Sequence, residues 1–226
     1  NAMVLGVGHE HPITVDDGYR AFAKQFVDWN NDGTVAKEVW AGSGGATYQD
    51  AAKEFINGSL VMYISGSWQI GRFGRDIGDA FDWVAVPAPC GPGACTGIPG
   101  GAAVVGFKHT KSPEEVGKLL DFMAREDVQA AVLAKTKNIP ANQALQAKGI
   151  DYVNASDAEK AALKTFAGSL AEFSPIAFQF QGYKNNRAIM NATVTRITQA
   201  IVGESTLDEA LTRIDADAKE ALAAAK

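Results

Sequence analysis

The sequence predicts an α/β chain with a small sheet and many helices. Three observations carry this. Short apolar runs bounded by turn residues, at 60–64, 82–87 and 102–107, read as strands. Between and after them lie segments whose apolar residues recur at three- and four-residue steps, as helices require. Strands separated by helices are the pattern of an α/β domain.

The elements follow in order. Residues 14–29 predict an amphipathic helix, because Thr14 and Asp17 suit a capped start and Tyr19, Phe22, Ala23 and Phe26 share one face. Asn30-Asn31-Asp32-Gly33 stops it. Residues 41–47 are small and flexible, and a short helix from Tyr48 to Asn57 ends at Gly58. Leu60-Val61-Met62-Tyr63-Ile64 then reads as a strand buried on both faces. Ser65-Gly66-Ser67-Trp68 closes it and opens the next helix. Residues 88–101 are rich in Gly and Pro and predict an ordered loop or a crossover.

The second half is mainly helical. Ser112-Pro113-Glu114-Glu115 combines an N-cap, a proline at the first helical position and early acids. Val116, Leu119, Leu120 and Met123 form its apolar face. Helices follow at 127–135, from Ser156-Asp157-Ala158-Glu159 to 171, and at 186–202 with Ile189, Thr193, Ile197 and Ile201 on one stripe. The last is opened by Thr206 and turns Leu207, Ala210, Leu211 and Ile214 inward.

Composition limits the function. With 226 residues, 46% hydrophobic and 21% charged, the chain has the balance of a folded globular protein. Its 21 basic residues against 26 acidic ones leave a net charge of −5, a poor match to nucleic acid or an anionic membrane. No run reaches the ~18 apolar residues of a spanning helix. Asn1-Ala2-Met3 reads as a remnant ahead of a start Met, with no secretion signal behind it.

Cys90 and Cys95 flank Gly91-Pro92-Gly93-Ala94, a loop that can bring them within disulfide range, although two separate thiols fit as well. A disulfide would point to an oxidising compartment. A metal is not expected, because no cluster completes a ligand set around the cysteines, and His9, His11 and His109 are scattered. Enzyme signatures are absent. Gly42-Ser43-Gly44-Gly45 lacks the lysine of a phosphate loop, and Glu114/Glu115 and Asp208/Glu209 sit in first helical turns, where the helix dipole explains them. No catalytic residue and no cofactor are expected.

One place invites a ligand. Small residues Ser65, Gly66 and Ser67 bare the backbone at a strand-to-helix junction, and Trp68 follows at once. An indole face stacks on the apolar face of a sugar ring while polar neighbours take its hydroxyls. A plain core tryptophan fits the same residues.

The segment from Lys53 to Trp68, with Phe55, Gly58, Met62, Gly66 and Trp68, resembles the F-x-x-Gly-x-x-A-Met-x-x-x-Gly-x-Trp segment of family 1 extracellular solute-binding proteins, except that Val61 replaces the usual Ala. These are the maltose-binding-protein-like sugar receptors of ABC importers. Phe81–Pro89 is similar to the family's strand into the hinge, and Gly100-Gly101 to its glycine pair. Lys111–Phe122, Asn138-Ile139-Pro140-Ala141 and Gly203–Leu211 resemble later family segments in the same order.

The resemblance implies the C-terminal lobe of a periplasmic-binding-protein-like (type II) fold with the second lobe largely missing, since family members are roughly twice as long. Residues 4–88 and 142–226 would form the C-terminal lobe, and 98–138 would cross into the other. The apolar face of 98–138 would then need a new partner, such as a second copy in a homodimer. The resemblance also implies the ligand-binding residues: Trp68 as stacking platform, Ser67 as polar neighbour, backbone groups of Gly100 and Gly101, and a contact among Asn185 to Asn191. Arg187 is the choice there, although a solvated helix-start arginine fits too; Trp40 and Tyr183 read as packing. The implied function is sugar or polyol binding for an ABC importer's membrane subunits, without chemistry, in the periplasm or outside the cell, with a lipoprotein anchor compatible. A glycosidase module and a stand-alone interaction domain are the alternatives.

Overall fold

The computed structural model describes residues 15–35, 47–91, 95–175, 177, 179, 182, 183 and 185–224. His9, His11, Thr14, Trp40 and the loop residues 41–46 lie outside them. The described helices are α1 (Asp17–Asn31), α2 (Thr47–Ile56), α3 (Ile70–Ile77), α4 (Pro113–Ala124), α5 (Glu126–Thr136), α6 (Gln143–Lys148), α7 (Asp157–Ser169), α8 (Asn186–Val202) and α9 (Leu207–Ala224). Short 3₁₀ turns at Ser67–Gln69 and Leu170–Glu172 precede α3 and follow α7. The chain divides into two units. The first is Asn1–Phe55, Cys90–Ile98 and Phe173–Lys226; the second is Ile56–Pro89 and Pro99–Glu172. Residues 56–88 and 142–172 thus share a unit with 99–138.

The core of the first unit follows from the helical stripes. Tyr19 and Ala23 of α1 meet Ile197 and Ile201 of α8 and Leu211 and Ile214 of α9, with Phe22, Phe26 and Leu207 around them. The Tyr19 hydroxyl and the Thr193 hydroxyl share a buried hydrogen bond of 2.9 Å. Burial pushes the Tyr19 phenol above its ordinary pKa, partly opposed by that bond. Arg196 Nε donates to Asp217 Oδ2 at 2.9 Å and so ties α8 to α9. Helix α8 ends where Gly203 turns left-handed (φ 82°). Asp16, rather than Thr14, caps α1 by accepting from the Tyr19 N–H at 2.8 Å. Glu209 and Thr206 bond reciprocally at the start of α9, and the Thr206 bonds hold the Glu209 carboxyl below its ordinary pKa.

In the second unit, Ile70 of α3 packs on Ala162 and Leu163 of α7, with Trp83, Ala85, Ile139, Tyr152 and Phe166 against them. Tyr63, Phe73 and Trp83 form an edge-to-face series with ring centres 6.1 and 5.8 Å apart. Helix α7 carries the full capping box between Ser156 and Glu159. Helix α6, which no periodic stripe announces, starts at Asn142, whose side chain accepts from the Ala144 and Leu145 N–H groups. Helices α4 and α5 hold no fully buried residue.

The expected sheet is corrected. Among the described residues, 60–64, 82–87 and 102–107 form no strand. Leu60–Ile64, expected to be buried on both faces, instead exposes Val61 (93%), Met62 (84%) and Ile64. The physical reason is pairing. A strand's backbone groups are satisfied only by a neighbouring strand, and no described segment lies alongside as one. The period of two survives in part. Trp83 and Ala85 turn to the core while Val84 and Val86 face solvent.

Candidate functional site

Trp68 sits in the middle of the 3₁₀ turn between the irregular 59–66 segment, which ends in an extended Gly66, and α3. The turn is closed by the Gln69 N–H donating to the Gly66 carbonyl at 3.1 Å. Its next two side chains, Gln69 and Ile70, are buried, so the backbone is anchored directly beyond the indole. The indole itself is 55% exposed. It is therefore not a core tryptophan, although the residues alone allowed that reading.

Glycine explains where the ring lies. A Cβ on residue 66 would overlap the six-membered ring of Trp68, so the indole folds back over a bare backbone that only glycine leaves open. Gly100 lies on the same site, where an added Cβ would stand 3.5 Å from Trp68 Cζ3. Gly101 faces open space. The second unit thus gathers Ser67, Trp68 and Gly100, with Gly101 adjoining in sequence. Ser67 opens the turn and its carbonyl accepts from the Ile70 N–H. Arg187 lies elsewhere, in the first turn of α8 in the first unit, where it is exposed. Tyr183 also belongs to the first unit and is half-buried.

The chemistry on offer is recognition. An exposed aromatic face beside glycine backbone provides a stacking surface with main-chain polar groups near its edge. Among the described residues no group of three His, Cys, Asp or Glu side chains comes together to hold a metal ion. Cys90 and Cys95 are joined in a disulfide, with Cα atoms 4.1 Å apart. That bond belongs to an oxidising compartment. No helix among the described residues is long and apolar enough to cross a membrane.

In the same unit, against α3, lies a pair that the sequence reading missed. Lys137 Nζ donates to Glu159 Oε1 at 2.6 Å, and the two side chains are 18% and 2% exposed. Ser156-x-x-Glu159 signalled a cap, and Glu159 Oε2 does accept from the Ser156 N–H at 2.8 Å. Nothing local signals the lysine, which stands 22 residues away.

The family model for bacterial extracellular solute-binding proteins matches residues 11–165. The chain belongs to that family. No curated protein matches it. Membership makes the chain a solute-binding component of an ABC transporter, with a small-molecule ligand and membrane subunits as partners, acting in the periplasm or outside the cell. It also implies a periplasmic-binding-protein-like fold. The disulfide agrees with that location on separate, chemical grounds.

Proposed function

We propose that this solute-binding protein takes a carbohydrate or related polyol, held by stacking on Trp68 and by hydrogen bonds from its surroundings. The observation that carries this reading is the half-exposed indole laid over Gly66 and beside Gly100. Ser67 and the backbone of Gly100 and Gly101 supply polar contacts. Arg187 is proposed as a further contact, because its planar fork suits two hydroxyls. The protein performs no chemistry on the sugar. Intrinsic fluorescence tests this, because the chain has only 4 tryptophans. Titration with a sugar panel is expected to change the emission, and Trp68→Ala is expected to weaken binding by roughly tenfold to a hundredfold. A glycoside hydrolysed during the titration would favour an enzyme instead. Because a cleft with one wall binds weakly, the titration extends to high sugar concentration; an unresponsive wild-type protein there, or equal binding by the variant, would sink the carbohydrate reading.

The chain is further proposed to be the C-terminal portion of its receptor, with 4–88 and 142–226 belonging to one lobe of the whole receptor and 98–138 crossing into the other, although within this chain 56–88 and 142–172 share a unit with 99–138. What supports this is unsatisfied apolar surface. Val104, Val105 and Phe107 are exposed, as are Leu119, Phe122 and Met123 of α4. Together with Val116 and Leu120 the first four line a shallow groove of about 300 Å³. A contiguous apolar face of this kind marks a surface meant to be covered. On its own the chain is expected to cover it with a second copy. Sedimentation should then show mass rising with concentration, and Phe122→Glu should return the chain to monomer. A wild-type monomer at every concentration would count against this pairing.

A further inference from the structure

Helix α3 starts two residues after Trp68, so the indole's position depends on what anchors that helix. One anchor is ordinary: Ile70 packs on Ala162 and Leu163 of α7. The other is unusual. Gly74 lies in the interior of α3, where glycine is less stable than alanine. The reason for a glycine there is the Glu159 side chain. A Cβ on residue 74 would overlap the carboxylate and come within 2.8 Å of Glu159 Cγ. The aliphatic part of Lys137 lies against Gly71, one turn earlier, with Cδ 3.7 Å from where a Cβ would be.

The ion pair is itself tightly directed. One carboxylate oxygen takes Lys137, the other takes the Ser156 N–H, and Lys137 also reaches the Asn154 carbonyl at 3.4 Å. Lys137 is the left-handed residue (φ 54°) that ends α5. Three helices therefore meet at one buried carboxylate: α3 through Gly74, α5 through Lys137 and α7 through Glu159 itself. Such a pair adds little stability over a well-packed apolar substitute, but its bonds fix direction.

We propose that the Lys137–Glu159 pair, read through Gly74, is a positioning device that sets the height and tilt of α3 and hence of the Trp68 indole. The ligand role of Trp68 rests on the carbohydrate reading above; the positioning does not. The test uses the whole chain labelled with 5-fluorotryptophan, its fluorine resonances assigned by single Trp→Phe substitutions. Gly74→Ala is expected to shift or broaden the Trp68 resonance and leave Trp29, in the other unit, in place. Leu145→Ala, a buried change on α6 of the same unit, is expected to lower the thermal midpoint without moving the Trp68 resonance. If Gly74→Ala does not fold, Glu159→Gln carries the measurement, and a displaced Trp68 resonance is again the expected result. An unmoved Trp68 resonance in the folded variant overturns the proposal, and so does an equal shift in Leu145→Ala. A protein that ignores every sugar would defeat the carbohydrate reading and leave these resonance shifts standing.

Discussion

Lys137→Met is expected to destabilise the second unit by about 3–5 kcal/mol, the cost of leaving a buried charge without its partner. Glu159 is almost wholly inside, and its remaining bond to the Ser156 N–H is one hydrogen bond for a full charge. Methionine keeps most of the lysine's length and packing, so the loss reports on charge and not on volume. Replacing both residues, as Lys137→Met with Glu159→Leu, is expected to recover much of that loss, because a buried pair exchanged for apolar groups is often neutral. The recovery is limited by the capping role of Glu159, worth about 1 kcal/mol at a helix start. Urea denaturation of the two variants, followed by a probe in the second unit, checks both numbers. A single variant within about 0.5 kcal/mol of wild type, the usual effect of a surface change, would show that the pair is solvated in solution.

Ile214→Ala is expected to cost about 2–5 kcal/mol in the first unit, from lost transfer energy and the cavity left behind. Ile214 is fully buried where α1, α8 and α9 meet, among Tyr19, Ile197 and Leu211. Ile214 and its neighbours Tyr19, Ile197 and Leu211 are all buried, so the cavity left would be closed off from solvent and the cost should fall in the upper part of that range. Leu119→Ala makes the contrast. It removes the same kind of side chain from the exposed face of α4 and, at concentrations low enough to keep the chain monomeric, is expected to change stability by less than about 0.5 kcal/mol. Denaturant midpoints measured side by side decide this. Equal effects at the two positions would mean that the face of α4 is covered even in the monomer.

The helices were legible because their signals are local. Ser156 and Glu159 name a capping box within four residues, and Ile189, Thr193, Ile197 and Ile201 mark a buried stripe that needs no knowledge of its partner. The sheet was not legible in the same way. Leu60–Ile64 has the composition of a strand, but a strand exists only when another segment lies beside it, and composition does not supply one. The site was half legible. Gly66 and Trp68 stand two residues apart in sequence, so their closeness could be expected; that the ring lies over residue 66 could not. Lys137 and Glu159 come together only through the fold, and Gly74 reads as a weak point in a helix until the carboxylate beside it is seen.

The sulfur bridge between Cys90 and Cys95 has a covalent consequence of its own. The backbone leaves one unit at Pro89 and returns to it at Pro99, and the bridge closes a small ring on the stretch between. A cut at any peptide bond inside that ring leaves a single molecule with two new ends. Only reduction of the bridge would then release the halves, so a lone proteolytic nick there passes unseen on a gel run without reductant.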